Sequence, residues 1–350
     1  MKDSTHEILN DPDLLQLRDE GYARLAALYA GEPAEHAFAL CGLDAGGSCS
    51  MYEEPERFVD EALDALSETV HLVRHAALFR PMLIGPGPYG VHFIDTFFGA
   101  NVYELDGEAN NWQVEYLDTP VGSLEPCDWQ SHPTWDVARR LAEAFLAADT
   151  TVPQYGLPTL SSTLNIGMNL YGQKLLVAML VDPEGAQHDL RIITDVIAGM
   201  HRWYREHIPA ERLQMVAATG RAQPPGYGQI CGCSCQVLSA EQYAEFIAPY
   251  DDETLSVYPN GGMIHLCGEH TQHIPVWREM KSMRALQLND RAAEDLEYYF
   301  NELRDDQILY LNPFDGMPVD RIMDITGGSR VVIVGGVEEP LPIRPDPRTD

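Results

Sequence analysis

His265 and Cys267, one residue apart in Gly262-Met263-Ile264-His265-Leu266-Cys267-Gly268, are the side chains whose types and spacing speak most directly of chemistry. On a strand, alternate side chains share a face. The imidazole and the thiol then project together with Met263, while Ile264 and Leu266 project the other way. A nitrogen and a thiolate at a strand's end make half of a tetrahedral zinc site. The same letters also describe a buried cysteine beside a hydrogen-bonded histidine, since His-x-Cys is a short pattern. Three more thiols stand in Cys231-Gly232-Cys233-Ser234-Cys235, where an extended backbone would send all three to one side. Their spacing does not fit four-cysteine iron–sulfur runs, and a metal or redox role competes with simple burial. Glu269, His270 and His273 follow the His-x-Cys strand closely, and His270 could serve as ligand or proton carrier. Cys41, Cys49 and Cys127 have no partner pattern and read as structural.

The elements that position these groups follow a steady period. Arg284–Asn289, Gln307–Asn312 and Arg330–Gly335 read as three further strands, their last residues following Cys267 at intervals of 22, 23 and 23. Helix-like stretches, Arg291–Leu303 and Pro318–Ile325, lie between them. Strands alternating with helices imply parallel strands with crossover helices. Gln287 and Asn289 share one face, as do Tyr310 and Asn312, while Leu286, Leu288, Leu309 and Leu311 point the other way. In a β/α barrel, leucines facing outward meet helices and polar residues at the strand ends face the mouth, where catalysis occurs. The expected fold class is therefore α/β, a (β/α)8 barrel with extra N-terminal helices.

Upstream, apolar spacing predicts helices over Asp13–Ala30, Pro55–Leu78, Pro133–Ala147 and Asp182–His207. Strands are expected at His36–Gly42, Pro81–Gly85 and Gly228–Cys231. Asp44–Cys49 reads as a loop, Val91–Glu104 as irregular or extended, and Thr159–Leu170 as strand plus loop. Ser239 with Gln242 fits a capping box for a helix over Ser239–Pro249. The tail beyond Glu338, rich in Pro and charge, is expected to be extended or frayed. Gly85-Pro86-Gly87-Pro88-Tyr89-Gly90 matches the letters of a dinucleotide loop. Pro86 and Pro88 have no N–H to offer a pyrophosphate, so a turn at the barrel mouth is the better reading.

Composition bounds the rest. A chain of 350 residues with 45% apolar residues can bury a sizeable core, and no linker divides it, so a single domain is expected. The formal charge of −31 argues against nucleic acid or an anionic membrane as partner, because phosphate binding relies on Lys and Arg. Seven irregularly spaced cysteines do not read as a disulfide framework, and neither a long apolar run nor the apolar core of a signal segment is evident. A cytoplasmic location is the expectation.

Several blocks, in order, resemble the uroporphyrinogen decarboxylase superfamily, which includes decarboxylases and zinc-dependent corrinoid:thiol methyltransferases. They are Tyr29-Ala30-Gly31-Glu32-Pro33 after the opening helix, Gly156-Leu157-Pro158-Thr159-Leu160, Asp182-Pro183-Glu184, Leu238-Ser239-Ala240-Glu241-Gln242-Tyr243 through Pro249-Tyr250, and His265-Leu266-Cys267-Gly268. The porphyrinogen branch holds its substrate with an arginine-rich segment near the N-terminus, and residues 36–50 contain no arginine. The thiol-alkylating branch uses His-x-Cys plus a cysteine near the last strand to bind zinc. His265 and Cys267 fit, but no cysteine follows Cys267. Either one of Cys231, Cys233 and Cys235 closes the site from the preceding strand, with Cys233 and Cys235 the candidates alongside His265 and Cys267, or the zinc site has been lost; Glu269 or His270 could also substitute.

The resemblance implies a zinc-dependent methyl or alkyl transferase that activates a small-molecule thiol for attack on a methyl-corrinoid, free or carried by a corrinoid protein, or on another small alkyl donor. Asn289, Tyr310 and Asn312 would be the candidate catalytic residues, positioning substrate from neighbouring strand ends. The alternatives are a metal-free decarboxylase or lyase of a small carboxylic acid or tetrapyrrole, and a barrel that binds a corrinoid without turnover.

Overall fold

Short runs of branched and aliphatic residues, such as Ile308–Leu311 (Ile-Leu-Tyr-Leu) and Val331–Val334 (Val-Val-Ile-Val), are buried at every position. Strands covered on both faces belong to parallel sheets flanked by helices. The computed structural model, which describes residues 1–74, 78–105, 111–214 and 219–349, builds two such sheets. In chain order the strands are β1 (Phe38–Leu40), β2 (Leu43–Ala45), β3 (Met82–Ile84), β4 (Val102–Glu104), β5 (Trp112–Val114), β6 (Gln154–Gly156), β7 (Leu213–Gln214), β8 (Gly228–Cys231), β9 (Gly262–Cys267), β10 (Met283–Asn289), β11 (Ile308–Leu311) and β12 (Val331–Val334). One sheet runs β1-β12-β11-β10-β9-β8 and the other β2-β3-β6-β7, all pairs parallel, while β4 and β5 form a separate antiparallel pair.

The two parallel sheets meet at both edges without one continuous ladder. On one side β1 and β2 are successive stretches of one extended segment that changes partner. Leu40 bridges to Phe79 in parallel, and the Cys41 and Leu43 amides donate to the carbonyls of Phe79 and Pro81 at 2.9 and 2.8 Å. On the other side β7 has only two residues. Its neighbour toward β8 is a pair of buried amides: the Gln223 N–H donates to Gln214 Oε1 (3.0 Å), Gln214 Nε2 to the Gln223 carbonyl (2.9 Å), and Gln223 Nε2 to the Gly228 carbonyl (2.8 Å). Farther along, Ser161 bridges Cys231 in parallel.

The alternation expected of β9–β12 is present in the packing. Ile264, Leu266, Leu286, Leu288, Leu309, Leu311, Val331 and Ile333 join the large outer core against the helices. Met263, Ala285, Ile308, Tyr310, Val332 and Val334 form a separate inner cluster with Leu40. The helix Pro12–Tyr29 contributes Tyr22, Leu25 and Tyr29 to that inner cluster, so the N-terminal helix plugs the interior.

Several elements depart from expectation for local reasons. The helix Pro55–Ser67 is shorter than predicted, because the Ser67 and Thr69 hydroxyls turn back onto the carbonyls of Asp64 and Leu66, a side-chain bond that competes with helix continuation. Leu43–Ala45 is strand where a loop was expected. The segment Thr159–Leu170 is not strand plus loop: Ser162 caps a helix over Thr163–Tyr171, and the strand lies earlier, at Gln154–Gly156. The helical stretch after β10 is split at Asp295 into Arg291–Glu294 and Leu296–Glu302, at a residue type that favours caps over helix interiors. The C-terminal tail is tied down, since the Ala37 N–H donates to the Leu341 carbonyl (2.7 Å) and Arg348 pairs with Asp305 and Asp346.

Candidate metal centre

Register fixes what faces what. On β8, β9 and β10, Cys231 stands opposite His265, His265 opposite Gln287, and Cys267 opposite Asn289. After Cys267 the chain turns sharply at Gly268 (φ +88), a left-handed conformation that glycine adopts freely. After β8 it enters a 3₁₀ turn over Cys233–Val237, held by the Gly232 N–H donating to the His265 carbonyl at 2.8 Å. Cys233 is thereby brought over the end of β9.

Cys233, His265 and Cys267 each present a ligand atom within 4.8 Å of the other two. His265 Nδ1 is bonded to the Gln287 amide oxygen, so Nδ1 carries a proton, and Nε2 faces Cys267 Sγ at 3.2 Å. Asn289 Nδ2 donates to the same sulfur at 3.6 Å. The Cys233 thiol, acting as donor, holds the Cys267 thiol well below the usual range, with His265 and Asn289 adding to the effect. Cys233 is pushed up as the proton-bearing partner, and burial adds to that. Two cysteine sulfurs and one imidazole nitrogen converging at strand ends suit zinc, which takes sulfur and nitrogen donors in tetrahedral geometry. The bond from Gln287 is the outer contact that orients a ligating histidine.

Cys235, also predicted as a ligand, is not part of this group. It faces the other way along the 3₁₀ turn, toward His270 and His273. Cys231 is buried beside the site with its thiol raised by burial, and Arg221 approaches its sulfur at 3.8 Å. Glu269 is exposed and turned to Arg291 (3.8 Å). Asn289 and Asn312 line one cavity of about 410 Å³ with Asp290, Arg291, Glu294 and Phe314. Tyr310 lies beneath, fully buried, its hydroxyl donating to the Ala222 carbonyl (3.0 Å) and accepting from Tyr29 (3.1 Å).

Sequence reasoning missed a second polar group. His92 Nδ1 contacts Asp95 Oδ2 at 2.7 Å and Asn169 Nδ2 donates to the same oxygen at 2.8 Å. Burial pushes the Asp95 carboxyl up, against the opposing pull of His92. One helical turn before Asn169, Asn165 Oδ1 accepts the Ser234 N–H at 2.8 Å, so one face of the helix Thr163–Tyr171 links the His92–Asp95 pair to the cysteine turn. The spacing His92-Phe93-Ile94-Asp95 was the available signal, hidden in a stretch without periodicity.

No protein-family model matches the chain, and no curated protein matches it in sequence. Among solved structures it is similar to a methyltransferase from Methanosarcina mazei, with a TM-score of 0.62 and 13% identity over 93% of this chain and 94% of that one. The likeness extends to the fold of nearly the whole chain. No helix among the described residues is long and apolar enough to cross a membrane.

Proposed function

We propose that the protein is a zinc-dependent methyl or alkyl transferase acting on a small thiol, built as a single (β/α)8-type barrel domain whose two parallel arcs share one interior. The observation that carries this reading is the convergence of Cys233, His265 and Cys267 within 4.8 Å at the ends of β8 and β9. The mixed parallel fold and its likeness to a methyltransferase are consistent with it. Cys233 would take the place of the cysteine that the resemblance expects near the last strand.

Zinc held there would keep the substrate's sulfur as thiolate at neutral pH, where a free thiol with a pKa of about 8.5 is mostly protonated. Gln287 holds the His265 ring in the tautomer that presents Nε2. Asn289 steadies the Cys267 sulfur, and with Asn312 it offers amide groups to a substrate in the adjoining cavity. Tyr310 acts as a positioning residue by fixing the floor between Tyr29 and Ala222. Arg221 sets positive charge beside the cysteine group. In the transfer the sulfur–carbon bond forms as the donor's bond to that carbon breaks. For a methyl-corrinoid the departing electron pair stays on the donor's cobalt, and the thiol proton is released to solvent.

The test is zinc content of protein purified without chelator, together with methyl transfer from methylcobalamin to a panel of small thiols. About one zinc at this site, lost in His265→Ala and Cys267→Ala along with thiol-dependent demethylation, is the expected result. Demethylation that persists in both variants would sink the reading.

A further inference from the structure

A second group of metal-ligating side chains lies beside the first and belongs to no step above. Cys235, His270 and His273 are 2%, 0% and 0% exposed. The Cys235 sulfur and one nitrogen of each imidazole lie within 4.8 Å of one another. Hydrogen bonds indicate the tautomers. His270 Nε2 lies 2.7 Å from the Cys267 carbonyl and His273 Nε2 lies 2.8 Å from the Cys235 carbonyl. A carbonyl only accepts, so both Nε2 atoms carry the proton, and in a neutral ring both Nδ1 atoms keep a lone pair.

These lone pairs are unequally accounted for. His270 Nδ1 lies 3.3 Å from Cys235 Sγ, and that thiol also reaches the Gly232 carbonyl at 2.8 Å. Among the described residues, His273 Nδ1 is buried with no hydrogen-bond partner. A cysteine and two histidines serving only as packing would explain the first contact but not the second, because buried acceptors are rarely left unpaired. Both rings also carry the outer bond, from the remote nitrogen to a main-chain carbonyl, that orients metal-ligating imidazoles. The three residues come from the 3₁₀ turn after β8, which also supplies Cys233, and from the turn that follows the strand ending at Cys267.

We propose that Cys235, His270 and His273 form a second, buried metal site, chemically suited to zinc, that pins the turn after β8 to the turn after β9. One sulfur and two imidazole nitrogens are a zinc-type donor set. Binding would displace the Cys235 thiol proton, as thiolate is the ligating form. Because His270 also bonds the Cys267 carbonyl, metal at this site would stiffen the strand end that carries the first. The inference does not depend on the function proposed above, as no residue is shared.

The test is titration of metal-free, full-length protein with Co²⁺, read by thiolate-to-cobalt absorption and by metal content after desalting. The intact chain should bind two equivalents. Cys233→Ser/Cys267→Ser should keep one, with its thiolate-to-cobalt band, and adding His273→Gln to that variant should abolish it. A folded Cys233→Ser/Cys267→Ser protein that binds no cobalt would overturn the second site, and this variant leaves Cys235, His270 and His273 intact. Failure of the first site reads differently: that double substitution would then remove no metal at all.

Discussion

Gln287 offers a sharp test because it touches the proposed metal only through His265. It is 4% exposed, stands opposite His265 in the β9–β10 register, and accepts the Nδ1 proton of that ring. In Gln287→Leu the interior keeps a side chain of similar length, but nothing holds Nδ1 protonated or the ring in plane. Loss of an outer partner of a metal ligand costs about 10- to 100-fold in affinity, or roughly 1.4–2.8 kcal/mol. Zinc affinity measured by competition with a chromophoric chelator should fall by that factor in Gln287→Leu and largely return in Gln287→Glu, whose carboxylate accepts the same proton. Thermal melts of the metal-free proteins separate this from unfolding. A folded Gln287→Leu protein with unaltered zinc affinity would refute the assignment of His265 Nε2 as a ligand atom.

Four other expectations follow from local geometry. Burial raises Asp251 from 3.8 to about 7, against the pull of its bond from Tyr243. The folded chain therefore holds a proton that the unfolded chain releases, and stability falls as pH rises between those values, by roughly 4 kcal/mol in all. Asp251→Asn, whose amide oxygen still accepts the Tyr243 hydroxyl, should flatten that fall and melt higher than wild type at about pH 8, and an unchanged pH profile would contradict the assignment. In metal-free protein Cys267, lowered chiefly by the Cys233 thiol, should react with iodoacetamide at an almost constant rate from about pH 8 to pH 6, where an ordinary thiol slows in step with its thiolate fraction; mass-mapped alkylation measures this. Gly268→Ala forces an alanine into φ +88 beside Gln236 and should cost about 1–3 kcal/mol in denaturant melts. Tyr310→Phe removes the bond to the Ala222 carbonyl and should lower stability by about 1 kcal/mol with zinc affinity unchanged.

The candidate site was legible in the sequence where strand periodicity carried it. His265 and Cys267 on one face, with Gln287, Asn289, Tyr310 and Asn312 on the matching faces of the next strands, follow from alternation alone, and the 22–23-residue period placed those strands side by side. Depth along each strand was not legible. Tyr310 pairs with Gln287 rather than Asn289 and so lies under the mouth, bonded to a helix that periodicity cannot dock. The choice between Cys233 and Cys235 was hidden as well. An extended backbone would put both thiols on one side, but the segment winds into a 3₁₀ turn that sends them to different groups. The short β6 and β7, three and two residues long, give no alternation to detect. The Gln214–Gln223 pairing that follows them is a tertiary contact between amides nine residues apart.

If Cys233, His265 and Cys267 hold a zinc ion that takes up the substrate's sulfur, the metal's neighbours must change when thiol is added. Zinc K-edge X-ray absorption on the zinc-loaded Cys235→Ser/His273→Gln protein, with and without a small thiol, tests it most directly. Two sulfurs at about 2.3 Å and nitrogen at about 2.0 Å are expected without thiol, and one additional sulfur with it. A sulfur count that does not change when thiol is added, or zinc with no sulfur neighbour, would contradict it.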